Sequence, residues 1–401
     1  MSYIFSARAP YRTTGGLFFL VALLLFASGC KNSSRSDKQG VASDMQNDGA
    51  SVGSTIKYSE YLKIEGDTIV SINEWEGKKS VSETFVMVPR DSEKILAENK
   101  NAIPVPIRSC VCMSTSYLAY LNLLGKADCV KALSGTQFVY NENVKKLISD
   151  GKIADIGAET APNYEKIMSL KPDVIFVYGI SGNDNTYIEK LRHLGLRVIP
   201  INDYLERTPL AKMEYLKLFG LLTGSAQFAD SVFEARAGEY LKIKNECAKA
   251  LSDKHIKRTR VLLNMPFKGI WYVPGGKNYT SNLIKDAGGD ILGTDPEGSS
   301  SAQLGFEKIY ALAAHADIWL HPNTVSTFAA LAADNPLYKN IPAFAKKQVY
   351  NNTKRSTPGG GSDFWEDGAV EPQEILKDLI QIMHPEIAQK GRDLKYYIRL
   401  K

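Results

Sequence analysis

Between Ile107 and Ile201 the chain alternates short apolar runs with stretches in which apolar residues recur every three or four positions. The runs Ile107 to Met113, Val130 to Leu133, Asp173 to Tyr178 and Arg197 to Ile201 suit strands buried on both faces. Tyr117 to Leu124, Asn163 to Leu170 and Asn185 to Leu194 between them have helical spacing. This alternation predicts a parallel sheet with crossover helices. The rhythm then breaks. From Ser225 to about Asp253 there is no proline and one glycine, while Ala229, Val232, Phe233, Tyr240 and Leu241 keep helical spacing. Ser225 suits an N-cap, and acids lie early and lysines late, as the helix dipole favours. At ~1.5 Å per residue such a helix spans on the order of 40 Å. After it the alternation resumes, with strands at Arg260 to Asn264, Asp317 to His321 and Gln348 to Asn351. Helices are expected at Thr280 to Ala287, Phe306 to Ala314 and Pro372 to Met383. The fold class is therefore α/β: two Rossmann-like lobes with parallel sheets, bridged by one long helix, with a cleft between the lobes.

The N-terminal portion adds two things. Residues 57–100 alternate in short runs such as Thr68 to Ile72 and Thr84 to Val88, punctuated by Gly66-Asp67 and Gly77, and predict a small β extension. Ahead of it, residues 31–56 are Ser, Asn, Gly, Asp and Lys with little to bury, as expected of a disordered tether. Leu17 to Phe26 is apolar, follows Arg8 and Arg12, and ends in Ala27-Ser28-Gly29-Cys30. It is shorter than the roughly 20 residues a membrane crossing needs and reads as an export signal. The cysteine after Ser-Gly resembles a bacterial lipoprotein signal, which implies cleavage before Cys30 and lipidation of it. The expected organisation is signal 1–30, tether 31–56, β extension 57–100, first lobe 101–208, connecting helices 209–254 and second lobe 255–401. The expected location is the cell envelope, lipid-anchored and facing the periplasm.

Composition narrows the partners. The formal net charge of +5 is spread over 401 residues without a basic stripe, which argues against nucleic acid. Besides Cys30 there are Cys110, Cys112, Cys129 and Cys247. An oxidising compartment would permit disulfides. Cys110 and Cys112 fall on one side of a strand, and buried free thiols are the favoured reading. No Cys-x-x-Cys or Cys/His spacing points to zinc, and the histidines do not assemble a metal-ion site.

Several stretches are similar to one family. Leu170-Lys171-Pro172-Asp173-Val174-Ile175, Thr208-Pro209-Leu210, Asp286-Ala287-Gly288-Gly289-Asp290 and Gly359-Gly360-Gly361-Ser362-Asp363-Phe364-Trp365-Glu366 occur in that order. Together they resemble the substrate-binding lipoproteins of ABC importers for ferric siderophores, heme and cobalamin, in a Bacteroides-like subgroup. The resemblance covers residue 102 to the C-terminus. It implies an exposed glutamate opening a helix in each lobe that docks on arginines of the permease. The matching positions are Glu165 in Asn163-Tyr164-Glu165-Lys166-Ile167 and Glu307 in Gly305-Phe306-Glu307-Lys308-Ile309. First-turn acids favoured by the helix dipole are the alternative reading of each.

Ligands of open α/β sheets bind beyond the carboxyl ends of the strands. In lobe one the loops there are Ser114 to Tyr117, Gly135 to Tyr140, Gly157 to Asn163 and Tyr178 to Asn183. In lobe two they are Phe267 to Tyr272, Gly298 to Ser301, His321 to Thr324 and Thr357 to Trp365. The expected ligand-binding residues are Ser114, Thr115, Tyr117, Tyr140, Tyr178, Trp271, Tyr272, His321, Arg355, Phe364 and Trp365. Aromatic rings grip large planar or chelated ligands, and the hydroxyls of Ser114 and Thr115 suit an anionic group. Lys268, Lys277 and Lys354 are further cations near these loops. Tyr140 falls within one residue of where the resemblance places an iron-ligating tyrosine in heme binders.

The resulting expectation is a binding protein, not an enzyme, with no cofactor. It captures a ferric siderophore, heme or cobalamin, meets an ABC permease, touches the membrane only through its lipid, and is monomeric. Neither Gly-x-Ser-x-Gly nor Gly-x-Gly-x-x-Gly occurs. A surface-exposed iron-chelate or heme capture lipoprotein working with an outer-membrane receptor is the alternative, and an enzyme on the same fold is a third, less favoured reading.

Overall fold

The computed structural model describes residues 55–74, 80–158, 161–178 and 186–401. The expected signal segment with Cys30, most of the tether, Gly77 and the loop beyond Tyr178 lie outside the described residues.

Strands β1 (Leu62–Glu65), β2 (Thr68–Asn73), β3 (Val81–Pro89) and β4 (Ala102–Val105) form a sheet in sequence order, antiparallel except for the parallel β3–β4 pair. Ala102–Val105, expected to open the first lobe, instead completes this extension. The extension is fastened to lobe one by polar contacts. Asn202 donates to the Ser71 hydroxyl at 3.0 Å and the Ile72 carbonyl at 2.8 Å, and Arg90 pairs with Asp173 at 2.9 Å.

Lobe one holds β5 (Cys110–Cys112), β6 (Val130–Leu133), β7 (Ala154–Asp155), β8 (Val174–Val177) and β9 (Val198–Pro200). They pair in the order β7-β6-β5-β8-β9, all parallel. Residues 174–177 are all buried, as a strand covered by helices on both faces must be. Cys110 and Cys112 share one face of β5 while Val111 faces a different core cluster. These two thiols, Cys129 and Cys247 are free and buried. Burial pushes Cys129 up to about 11, which keeps it a protonated thiol at neutral pH.

The connection between lobes is built from sequence punctuation. Thr208 caps the Pro209–Met213 helix by accepting from the Ala211 amide, with proline at its first position. The Tyr215–Thr223 helix ends on Gly224, whose φ of 72° forms the left-handed cap. The long helix runs Ala226–Asp253, but the Ser225 side chain makes no capping bond, contrary to expectation. Gly220 allows the last two helices to close on one another, because a Cβ there would lie 2.4 Å from that of Ala229.

Lobe two holds β10 (Thr259–Leu263), β11 (Ile270–Val273), β12 (Gly289–Ile291), β13 (Ala302–Gly305), β14 (Ile318–Leu320), β15 (Val349–Asn351) and β16 (Ile398–Arg399). Its main sheet runs β12-β10-β14-β15-β16, parallel except for the last strand. β11 and β13 form a separate antiparallel pair. The Pro372–Met383 helix lies against the long helix and tethers lobe two to it: Lys377 of the former reaches Glu239 of the latter at 2.6 Å.

Candidate functional site

In each lobe the chain leaves a central strand in one direction and returns on its other side. In lobe one this reversal falls between β5 and β8, and in lobe two between β10 and β14. Ligands of open α/β sheets sit at such reversals, beyond the strand ends. The residues delivered there are Ser114 to Ser116 and Tyr178 in lobe one, and Asn264 and His321 in lobe two. Asn264 and His321 both adopt left-handed backbone, with φ of 68° and 57°. For histidine this conformation carries a steric cost, and such costs concentrate at functional sites.

The eleven expected ligand residues separate by burial. Three stand in the core. Tyr117 is 1% exposed inside the Ser116–Leu123 helix, with its ring edge-on to Phe176. Trp271 is also 1% exposed; its indole N–H donates to the Leu263 carbonyl at 2.7 Å, and its ring meets Trp319 and Tyr338. The expectation placed Trp271 and Tyr272 on a loop. They occupy β11 instead, where adjacent residues face opposite sides, so Trp271 turns inward and Tyr272 stays half-buried. Phe364 is 2% exposed among Trp365, Tyr396 and Tyr397. These three are corrections to the expected set.

His321 is engaged within its own lobe. Its Nε2 lies 2.8 Å from the Tyr397 hydroxyl, and its ring stacks on that of Tyr397. Burial pushes its pKa down to about 4, so it is neutral at physiological pH. Ser114 and Thr115 are half-buried at the start of their helix, with the Ser114 and Ser116 hydroxyls 3.0 Å apart. Half-buried Tyr178 meets Tyr204 edge-on at 6.3 Å, and half-buried Trp365 lies 6.3 Å from Tyr279. Lys277 pairs with Glu297, and Lys354 donates to the Leu394 carbonyl.

Tyr140 and Arg355 come together from different lobes. The Arg355 guanidinium carbon is 4.8 Å from the centroid of the Tyr140 ring, and the Lys145 ammonium is 5.1 Å from it. Cations at such distances are attracted by the ring face. Arg355 also pairs at 2.5 Å with Asp363, whose side chain is fully buried.

Sequence reasoning missed the acids beside them. Oxygens of Asp363, Glu366 and Asp367 lie within 4.8 Å of one another. Burial, with the neighbouring carboxylates adding, pushes Glu366 up to about 7, against the pull of two backbone amides. Asp367 is pushed up to about 6 by burial and by Asp363. Their oxygens serve protein donors: Glu366 accepts from the Tyr140 and Asn141 amides, and Asp363 from Arg355. The cluster therefore reads as a set of acceptors for protein N–H groups rather than a metal cage. The only sequence signal was the density of acids after the glycine run.

Glu165 and Glu307 are exposed, each at the second position of its helix, Tyr164–Leu170 in lobe one and Phe306–Ala313 in lobe two. The Asn163 side chain caps the first of these helices by accepting from the Lys166 amide. Among the described residues neither glutamate enters an ion pair.

A second pair of glutamates fixes the N-terminal strap. Glu214, fully buried, accepts from the amides of Lys57, Tyr58 and Ser59 at 2.7, 2.7 and 2.8 Å. Glu206 accepts from the Ser59 hydroxyl and from the Glu60 and Tyr61 amides.

The fold agrees with that of known proteins. Residues 110–355 match the model of the periplasmic binding protein family. An uncharacterized lipoprotein of Methanocaldococcus jannaschii is 27% identical over 322 residues, covering 78% of this chain and 73% of its own. A periplasmic heme binding protein from Pseudomonas aeruginosa superposes with a TM-score of 0.55 at 16% identity, over 73% of this chain and 97% of that one. The triscatecholate siderophore binding protein of Bacillus subtilis gives 0.50 at 18% identity, over 70% and 93%. The family model spans more than half of the sequence and reaches into both α/β lobes, and the chain belongs to the periplasmic binding protein family.

Proposed function

We propose that this chain is the substrate-binding lipoprotein of an ABC importer, taking a ferric siderophore, heme or cobalamin between its lobes. Cys30 is the lipid-bearing residue in this reading, and Glu165 and Glu307 dock the loaded protein on the permease. The observation that carries the reading is the family match together with one unpaired, exposed carboxylate at the start of a helix in each lobe. Two carboxylates on separate lobes suit two guanidinium groups on a partner, each as a charge-assisted pair. The half-buried rings of Tyr140, Tyr178, Tyr204, Tyr272 and Trp365 offer apolar area to a bulky chelate, and Arg355 and Lys145 offer positive charge. The solved likenesses that bind heme and a catecholate chelate support the ligand class by fold alone. Nothing in this role calls for catalysis.

The test is charge reversal at both docking positions, Glu165→Lys with Glu307→Lys. Uptake of the bound chelate by cells should be lost while affinity in solution is unchanged. Uptake that survives the double reversal overturns the docking role and favours handover to an outer-membrane receptor.

A further inference from the structure

We propose that residues 355–367 of lobe two form a latch that grips residues 137–141 of lobe one and sets the width of the cleft before any ligand enters. The latch begins as a rigid finger. Ser356 bridges Ser362 in antiparallel fashion, and the Thr357 amide donates to the Gly361 carbonyl at 2.9 Å. Gly360 turns the tip with a φ of 90°, and the Gly361 amide donates to the Thr357 hydroxyl at 2.9 Å. The Arg355–Asp363 ion pair ties the base.

The finger presses its backbone onto lobe one. A Cβ at Gly361 would lie 1.8 Å from the Phe138 carbonyl oxygen, and one at Gly359 would lie 2.8 Å from that of Gln137. Only glycine permits that approach. Thr357 donates to the same Gln137 carbonyl at 3.2 Å. Behind the finger, Glu366 takes two consecutive amides of lobe one, Tyr140 at 2.8 Å and Asn141 at 2.9 Å. These amides stand at the start of the Glu142–Ser149 helix, where a carboxylate is electrostatically favoured. Asn141 reaches Asp367 at 3.4 Å, and Arg355 covers the Tyr140 ring.

The geometry has a mechanical meaning. The lobes are already joined by the connecting helices and by an apolar core that both share. The attachment at the strand ends adds a further restraint on their separation. Glu366 is 1% exposed, so its bonds to the two amides are shielded from water, and an amide that lost this acceptor would be left unsatisfied. The cleft is then preset, and binding proceeds with little lobe movement.

The latch is tested on the ligand-free protein, so its failure leaves the transport reading untouched. Amide hydrogen exchange is followed in wild type, Glu366→Ala and Gly361→Ala. The second variant keeps the carboxylate and only wedges the finger away. In both, exchange of the Tyr140 and Asn141 amides should speed at least tenfold, and small-angle scattering should show the lobes further apart. Amides of Val174–Val177 and Ile318–Leu320 should keep wild-type rates, which separates unlatching from unfolding. Glu366→Gln, with one acceptor left, should be intermediate. Wild-type protection of the two amides in Gly361→Ala, or an unchanged scattering profile in both variants, overturns the latch.

Discussion

Among the described residues Arg355 is the ion-pair partner of Asp363, a carboxylate with no exposed surface, and replacing it by methionine removes that partner while keeping much of the side-chain volume. Breaking a buried pair from one side costs about 3–5 kcal/mol, because the remaining charge has lost its partner without regaining water. Arg355 itself is 35% exposed, so solvent already screens part of the attraction and the lower end, about 3 kcal/mol, applies. Unfolding entropy of about 2.1 cal/mol/K per residue over the roughly 330 described residues makes this a fall in Tm of about 4 °C. The assay is thermal and denaturant unfolding of Arg355→Met, Asp363→Asn and the double variant. If the cost is that of a stranded carboxylate, Asp363→Asn in the Arg355→Met background should recover more than half of the loss. A loss below about 1 kcal/mol, or a double variant as unstable as the two singles added together, refutes the reasoning.

Burial raises Glu206 from 4.5 to about 7 in the folded protein. Between those values the native state holds a proton that the unfolded chain has released, so its contribution to stability falls as pH rises through the window. Glu206→Gln should flatten the decline in denaturant midpoint between pH 5 and 7.5, and an unchanged slope contradicts this. Gly220→Ala places a methyl 2.4 Å from the Ala229 Cβ and should cost about 1–3 kcal/mol by denaturant unfolding. Wild-type stability of that variant would mean the two connecting helices are not in close contact. Glu214→Ala removes the acceptor of three backbone amides, so limited proteolysis should cut the Lys57–Tyr61 segment faster than in wild type. Equal cleavage rates would show that the strap is held by other contacts.

Much of the architecture was legible because strands covered on both faces must be short apolar runs and amphipathic helices must show their period. Val130–Leu133 and Pro372–Met383 have the residue bounds read from the sequence, and the long helix begins directly after Ser225, where the reading placed its N-cap. What escaped depends on distant partners. Ile270–Val273 is a strand only because Ala302–Gly305 pairs with it, so Trp271 looked like a loop ring and proved to be core. Ala102–Val105 resembled the opening of a lobe but pairs with β3. Nothing local to Glu366 says that its acceptors serve amides 226 and 225 positions earlier. The same holds for Glu206 and Glu214, whose donors lie in the N-terminal strap.

The most direct test of the central claim is a titration of the protein with hemin, cyanocobalamin, a ferric catecholate and a ferric hydroxamate, followed by tryptophan fluorescence. Trp271 and Trp319 are core residues, whereas Trp365 is half-buried. The account predicts saturable quenching by one of the four at micromolar or tighter affinity, with most of the signal lost in Trp365→Phe. Absence of saturable quenching by all four would contradict the assignment to iron chelates, heme or cobalamin.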